Sequence, residues 1–536
     1  MKRYTGIIIV TCLLGIFIGT QIADNKNTII ISNTADNKLY EMLDIIETNY
    51  VDSTDMDSII EQCLPKIISE LDPHSVYIPK QDVETTNSDL QSSFSGIGIR
   101  FTIQEDTIHI SDVIRGGPSE KAGILAGDRV IKVNDTLFVG KDVCTNEAAM
   151  KKLKGPKGSF VKIGVERHGE KELLDFNIRR DEIPVESIEA MYMINNKWGY
   201  VQVERFAENT FAEFIRALAM FISNNAQGII IDLRGNGGGY MGVAIEMANQ
   251  FLGEDEIIVY TEGEHSTKHV ERANGYGMFQ KTPLVILVDE TSASASEIIA
   301  GTIQDNDRGT IIGRRTFGKG LVQQPFEFSD GSMMRLTIAR YHTPSGRCIQ
   351  KPYTKGDKEE YEKDLLDRYN RGEFFSQDSI HQNEELKYRT CKGRTVYGGG
   401  GIMPDIFVSS DTTDMTSYSQ EVYARGLISR YALQYSNNNR HILSKHSGYE
   451  ELVSYLETQP ILDDFVEYAT KKGLKRRNNL IAKSKKVLTR SLYSNIIYQI
   501  QGMLEHVKYI NLEDPTVQKA IEVLEKGEAF PKTEEK

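Results

Sequence analysis

The chain has 536 residues, 40% of them hydrophobic and 26% charged, which excludes a fibrous or wholly disordered protein. That length suits about three or four domains. A net charge of -13 with no long basic run excludes nucleic acid as an expected partner.

Lys2 and Arg3 precede an apolar run from Ile7 to Ile18, the order of charges of an export signal. Residues 1–24 therefore read as a signal peptide or a signal anchor. No clean cleavage site follows, and residues 4–23 are just long enough to span a bilayer, for which about 20 suffice. Lys2 and Arg3 on the cytoplasmic side place the rest of the chain outside the inner membrane, in the cell envelope or periplasm. Residues 24 to 35 read as a polar linker.

Residues 36–93 have mainly helical periodicity, with Leu39, Met42, Leu43 and Ile46, then Ile59, Ile60, Leu64, Ile67 and Ile68. Pro65 predicts a break in the second run. The segment ends in LDPHS, Leu71 to Ser75. From Phe94 the texture changes to short alternating runs between glycine turns. GIGIRFTI (Gly96 to Ile103) and TIHISDVI (Thr107 to Ile114) predict strands, and NEAAMKKLKG from Asn146 predicts a helix. Residues 94–180 thus form a small α+β module.

Residues 181–410 alternate strand and helix. GIIIDL (Gly228 to Leu233) and PLVILVD (Pro283 to Asp289) are continuous apolar runs, as expected of strands buried on both faces. The fold class predicted is α/β multidomain, with a parallel-rich core and helical N- and C-terminal regions. Residues 354–385 are strongly charged and read as an exposed insertion. Residues 411–536 read as helical, and could dimerise, dock a regulatory protein or pad the core.

The chemistry centres on ETSASASEIIAGTIQD, Glu290 to Asp305. A serine between a buried strand and a helix can face a cleft, with the helix N-terminus aimed at developing negative charge. Taken alone, a serine there is more often a plain helix cap. Lys319 follows 25 residues after Ser294, between two glycines. A lysine serves as a general base only if burial lowers its pKa; taken alone, it reads as a solvated charge.

Together these segments match a family. SASASE, then GKG at this spacing, with Gln323 four residues after Lys319, resembles the C-terminal processing peptidases, or tail-specific proteases. The resemblance covers roughly residues 36–410 and implies a crotonase-like protease core. It implies Ser294 as nucleophile, Lys319 as base and Gln323 as the residue orienting the lysine. Ser292 and Ser296 are competing nucleophiles, which motif register disfavours. DLRGNGGG, Asp232 to Gly239, looks like the family's glycine loop, so the amides of Gly238 and Ala295 are expected to form the oxyanion hole. The choice among Gly237, Gly238 and Gly239 stays open. Arg234 could equally cap strand ends or shape the cleft. Glu297 and Asp305 match family positions and are expected to support the site. His74, in the LDPHS marker, is expected to be structural.

The module at 94–180 resembles a PDZ domain, through GIGI, GGPSEKAGILAGDRVIKVN and LKGPKG. Gly96, Ile97, Gly98 and Ile99 would then hold a peptide's terminal carboxylate, while the peptide adds as a strand to the sheet edge. The implied activity is a serine endopeptidase acting on proteins with accessible C-termini. A PDZ adaptor with a degenerate protease core is the competing reading, predicting binding without turnover. A Ser–Lys mechanism calls for no metal or cofactor. H-E-x-x-H and G-x-S-x-G are both missing; His265 and His269 lie four apart, in a charged stretch that reads as a loop. Cys12, Cys63, Cys144, Cys348 and Cys391 form no C-x-x-C pair, and a bridge among the last four is left open.

Overall fold

In the computed structural model, residues 34–88, 93–167 and 169–532 are described. The leader at 1–24, with its span at 4–23, lies outside them. No helix among the described residues is long and apolar enough to cross a membrane. Residues 1–68 and 69–536 make two separate units. In the first, helices Thr34–Asn49 and Met56–Ser69 leave Leu39, Met42, Ile45 and Ile67 exposed. Pro65 lies inside the second helix, which runs through the predicted break and forgoes one amide hydrogen bond.

The expected helical region also contains a strand, β1 (Val76–Ile78), before helix Lys80–Ser88. It follows a turn fixed by Asp72, whose carboxylate accepts from the His74 and Ser75 amides and from Ser75 Oγ.

The next module contains β2 (Ser93–Gly96), β3 (Ile99–Gln104), β4 (Thr107–Val113), β5 (Arg129–Val133), β6 (Thr136–Leu137), β7 (Phe160–Glu166), β8 (Leu174–Arg179) and β9 (Asp181–Pro184). The sheet runs β3-β4-β5-β7-β8, with β6 on β5 and β2 paired to β9. Ile108, Ile110, Val130, Ile163 and Val165 fill its core beside Ala149 and Leu153 of helix Asn146–Leu153. The strand expected over 96–103 is interrupted: the chain turns at Ile97 and Gly98, where φ is +76 at Gly98. A side chain is disfavoured at that φ, so glycine permits the turn. The turn's carbonyls are taken, Ile97 O by the Ser119 amide and Gly98 O by the Ile114 amide. β3 is left as an edge strand.

The core follows with β10 (Ile188–Ile194), β11 (Trp198–Val203), β12 (Gly228–Asp232), β13 (Ile257–Gly263), β14 (Ser266–Arg272), β15 (Leu284–Val288), β16 (Thr310–Gly313), β17 (Leu321–Glu327) and β18 (Met333–His342). After β19 (Lys387–Arg389) and β20 (Thr395–Tyr397) comes β21 (Ile406–Phe407). The central sheet has the order β10-β11-β12-β15-β16-β21, parallel from β11 to β21. β12 and β15 are buried along their whole length, which explains their unbroken apolar runs. One face packs on helices Thr210–Ser223, Met241–Asn249 and Ala295–Asp305, through Phe214, Phe221, Met247 and Ile299. The other face is covered from the far end of the chain, by Val517, Ile521 and Leu524 of helix Pro515–Glu525.

A second, antiparallel sheet has the order β1-β18-β13-β14, with β17 on β18. Here the structure corrects two expectations. His269 stands on β14 of a hairpin, not in a loop; the strand is mostly exposed, so its charged residues masked it. Residues 354–385 are not simply an exposed insertion. Helix Lys358–Asn370 buries Tyr361 and Arg368, and the Arg368 guanidinium donates to Arg315 O and Thr316 O. The C-terminal helices from Ser417 to Asn511 have their own core around Tyr418, Leu452, Phe465 and Leu492. They touch the small β module where Lys472 pairs with Glu105 and Asn437 packs on Gly127. Cys63, Cys144, Cys348 and Cys391 are free thiols.

Candidate active site

β15 ends at Val288, and a tight turn leads into helix Ala295–Asp305. The Asp289 carboxylate shapes the turn by accepting from the Thr291 and Ser292 amides. Three serines compete in this segment, and hydrogen bonding separates them. Ser292 is buried, with Oγ donating to Leu233 O at 2.8 Å and accepting from the Asp289 amide. Ser296 is buried, with Oγ donating to Asn236 O at 2.9 Å. Ser294 instead lines a cavity of about 780 Å³, together with Lys319, Gln323 and Gly238.

Ser294 has φ 56 and ψ -113, a conformation that L-residues rarely adopt. Such strain costs roughly 1–3 kcal/mol and persists only where surrounding bonds enforce it. The enforcing group is Glu297, fully buried one turn into the helix. Its Oε2 accepts from the Ser294 amide at 2.9 Å and the Lys319 amide at 2.8 Å. Its Oε1 accepts from Thr316 Oγ1 at 2.5 Å and the Gly318 amide at 2.8 Å. One carboxylate thus fastens the serine turn to the lysine loop. Burial pushes its pKa up to about 7, against the pull of these four bonds.

A second clasp was not legible in the sequence. The buried Tyr341 hydroxyl on β18 lies 2.5 Å from Lys319 O and 3.1 Å from Ser294 O. The side chain of Lys319 is held in turn. Nζ donates to Gln323 Oε1 at 3.4 Å, and Gln323 Nε2 donates to His74 O at 2.6 Å. His74 therefore acts through its backbone carbonyl. Its ring meets the Tyr361 hydroxyl at 2.9 Å, and its pKa falls to about 4, first by burial and then by the Lys319 charge. Lys319 itself is held below the ordinary lysine range, by burial first and then by the positive charge of Arg335.

The glycine loop closes the opposite wall. A Cβ on Gly239 would stand 2.2 Å from Phe206 O, and one on Gly238 would stand 2.7 Å from the Ser294 Cβ. Both glycines have positive φ, +108 and +146 respectively for Gly238 and Gly239. The Gly238 carbonyl accepts from the Phe206 amide, while its own amide donates to Asn236 Oδ1 at 2.8 Å. The Ala295 amide has no acceptor among the described residues. Arg234 anchors the strand end: it binds Asp232 and reaches Asp514 ahead of the C-terminal helix.

Of the residues singled out from sequence, Ser294, Lys319, Gln323, Gly238, Ala295 and Glu297 converge here. Asp305 does not. It sits at the far end of the helix, about 15 Å along it at 1.5 Å per residue, buried against Arg347 at 2.7 Å. Gly96, Ile97, Gly98 and Ile99 lie in the small β module, outside the cavity lining. Tyr341 and Arg335 escaped sequence reading because each sits on a strand remote in sequence from the serine, and Thr316, three residues before Lys319, because a threonine there carries no signal of its bond to Glu297.

Residues 197–359 match peptidase family S41, residues 95–178 match a PDZ domain, and residues 418–502 match a family of unknown function, DUF8443. The carboxy-terminal processing protease CtpA of Bacillus subtilis is 36% identical over 332 residues, which are 62% of this chain and 69% of that protein. CtpB of the same organism is 34% identical, over 59% of this chain and 65% of that protein. A carboxy-terminal-processing protease of Bartonella bacilliformis is 33% identical, over 58% of this chain and 71% of that protein. The chain belongs to peptidase family S41, as a serine protease of the carboxy-terminal processing type that carries a PDZ domain.

Proposed function

We propose that the protein cleaves envelope proteins with a Ser294–Lys319 dyad, on substrates whose C-termini are taken up by the PDZ domain. Ser294 Oγ attacks the scissile carbonyl as the neutral Lys319 amine takes its proton. The same amine then returns a proton to the leaving nitrogen, and water hydrolyses the acyl-serine. Gln323, pinned by His74 O, orients the amine. The Ala295 amide is a ready oxyanion donor. The Gly238 amide joins it once it leaves or shares Asn236 Oδ1. Glu297 supports the site as its tether, and Asp305 supports the fold of the helix that carries it.

The observation carrying this reading is the shared carboxylate: Glu297 Oε2 accepts from the amides of both Ser294 and Lys319, at the wall of the cavity that both line. The burial of Ser292 and Ser296 adds support. For the PDZ domain, support comes from the turn at Gly96–Ile99 beside the edge strand β3, where an incoming strand can pair. The domain division we propose is a leader at 1–24, a helical region at 36–93, the PDZ domain at 94–180, a crotonase-like core at 181–410 and a helical region at 411–536. The leader supports export and inner-membrane association. Purified protein should cleave an unstructured C-terminal tail, and Ser294→Ala and Lys319→Ala should each abolish cleavage with the fold intact by circular dichroism. Normal turnover by either variant would sink the assignment.

A further inference from the structure

The buried arginines of this protein are, as a rule, partnered: Arg180 and Arg308 donate to main-chain carbonyls, and others meet carboxylates. Arg347 pairs with Asp305, Arg368 with Glu373, Arg394 with Asp307, and Arg234 with Asp232 and Asp514. Arg335 breaks that rule. It lines the catalytic cavity, half-buried, yet makes no ion pair or side-chain hydrogen bond among the described residues. Its Nε is fully shielded and has no acceptor. Its charge acts on another cation of the site, Lys319. An arginine held beside a lysine, part-desolvated and unpaired, is costly unless an anion completes it.

The rest of the cavity narrows what that anion is. Ile78, Met241, Ile298, Leu321 and Met333 make its walls largely apolar, suited to a peptide segment. Arg205 also lines the cavity without a partner at Nε, but Glu204 stands next to it on the same wall and offsets its charge. Arg335 forms no ion pair among the described residues, and Asp72, which reaches Thr337 two residues along β18, spends its oxygens on the His74 and Ser75 amides, Ser75 Oγ and Thr337 Oγ1. It stands on β18 opposite Pro325 of β17, two residues beyond Gln323, so it flanks the lysine side of the scissile position. We propose that Arg335 is a specificity residue that binds a substrate carboxylate next to the scissile bond, through a charge-assisted and bidentate hydrogen bond. The proposal rests on Ser294 and Lys319 marking the point of cleavage. The carboxylate can come from an acidic side chain or from a peptide's own C-terminus.

The test uses the full chain and paired peptides. One series exchanges Asp for Asn at each position within a few residues of the cleaved bond, with the C-terminus amidated to remove the PDZ contribution. A second series compares free acid with amide at the C-terminus. Wild type should show kcat/KM about tenfold higher for one Asp peptide, or for the free acid, than for its neutral partner. Arg335→Gln should bring the Asp/Asn ratio to near one and cut the acid/amide ratio to what the PDZ domain contributes, and Arg335→Lys should keep part of the difference. An Arg335-dependent preference confined to the first series assigns the side chain as the source; an Arg335-dependent one confined to the second assigns the terminus. Equal turnover of all pairs by wild type, or preferences that Arg335→Gln leaves undiminished in both series, overturns the proposal. The same pairs are titrated onto Ser294→Ala protein by fluorescence anisotropy, with and without Arg335→Gln. An Arg335-dependent preference in binding sustains the proposal even if wild type cleaves nothing, in which case only the dyad assignment has failed.

Discussion

Replacing Glu297 by glutamine separates tethering from stability. The carboxylate accepts four hydrogen bonds, from Ser294 N, Lys319 N, Thr316 Oγ1 and Gly318 N. Glutamine is nearly isosteric but offers one oxygen, and its NH₂ would confront two of those donors. Two buried donors left unsatisfied cost about 2–6 kcal/mol. Against this, removing the buried charge is favourable. A carboxyl raised from 4.5 to about 7 by burial carries a penalty of about 3 kcal/mol when ionised. The two effects nearly cancel at neutral pH, so Glu297→Gln should change stability by no more than about 3 kcal/mol. The sign with pH follows from the raised pKa. Protonated Glu297 is favoured by folding, so its contribution is full below 4.5 and is lost as pH rises through about 7. Urea melts should therefore show wild type losing ground to Glu297→Gln between those values. Activity should behave differently: with the serine turn and lysine loop no longer joined, kcat should fall roughly a hundredfold. Near-wild-type kcat in a folded Glu297→Gln protein would refute the tether.

Other consequences are equally open to measurement. Lys319 is held below the usual lysine range by burial and by Arg335, against the opposing charges of Glu297 and Asp72. The neutral base should thus be populated as pH rises through that lowered pKa, and kcat/KM should climb along a limb that Arg335→Gln moves to higher pH. His74, at about 4, stays neutral there and should not shape this limb. Tyr341→Phe removes the hydroxyl that joins Ser294 O and Lys319 O; it should cost about 1–3 kcal/mol in urea melts and lower kcat about tenfold. Asp305→Ala leaves the guanidinium of Arg347 without its buried partner and should destabilise by about 3–5 kcal/mol. KM of whatever fraction stays folded should be unchanged, since Asp305 lies outside the cavity; a raised KM would place it nearer the substrate than the structure does.

Local pattern alone carried much of the fold. Unbroken apolar runs named β12 and β15, since a strand buried on both faces has no polar side. Small residues between a strand and a helix marked the serine turn, and the glycine loop was visible because only glycine tolerates its approach to Phe206 and Ser294. Errors fell where burial is purchased by hydrogen bonds rather than by apolar surface: Arg368 and Tyr361 made a buried helix look like an exposed insertion. Edge strand β14 read as a loop because its exposed side chains are charged.

By itself, the sequence determined the identities of the serine, the lysine and the glutamine, and the resemblance that joins them. Tertiary structure decided which serine is free to act, because Ser292 and Ser296 spend their hydroxyls on Leu233 O and Asn236 O, carbonyls about 60 residues away in the chain. It also decided what holds the base: Glu297, Tyr341 and the carbonyl of His74 come from three separate segments. Spacing along a chain encodes neither the direction of a hydroxyl nor the partner of a buried charge. Those depend on which segments the sheets and helices bring into contact.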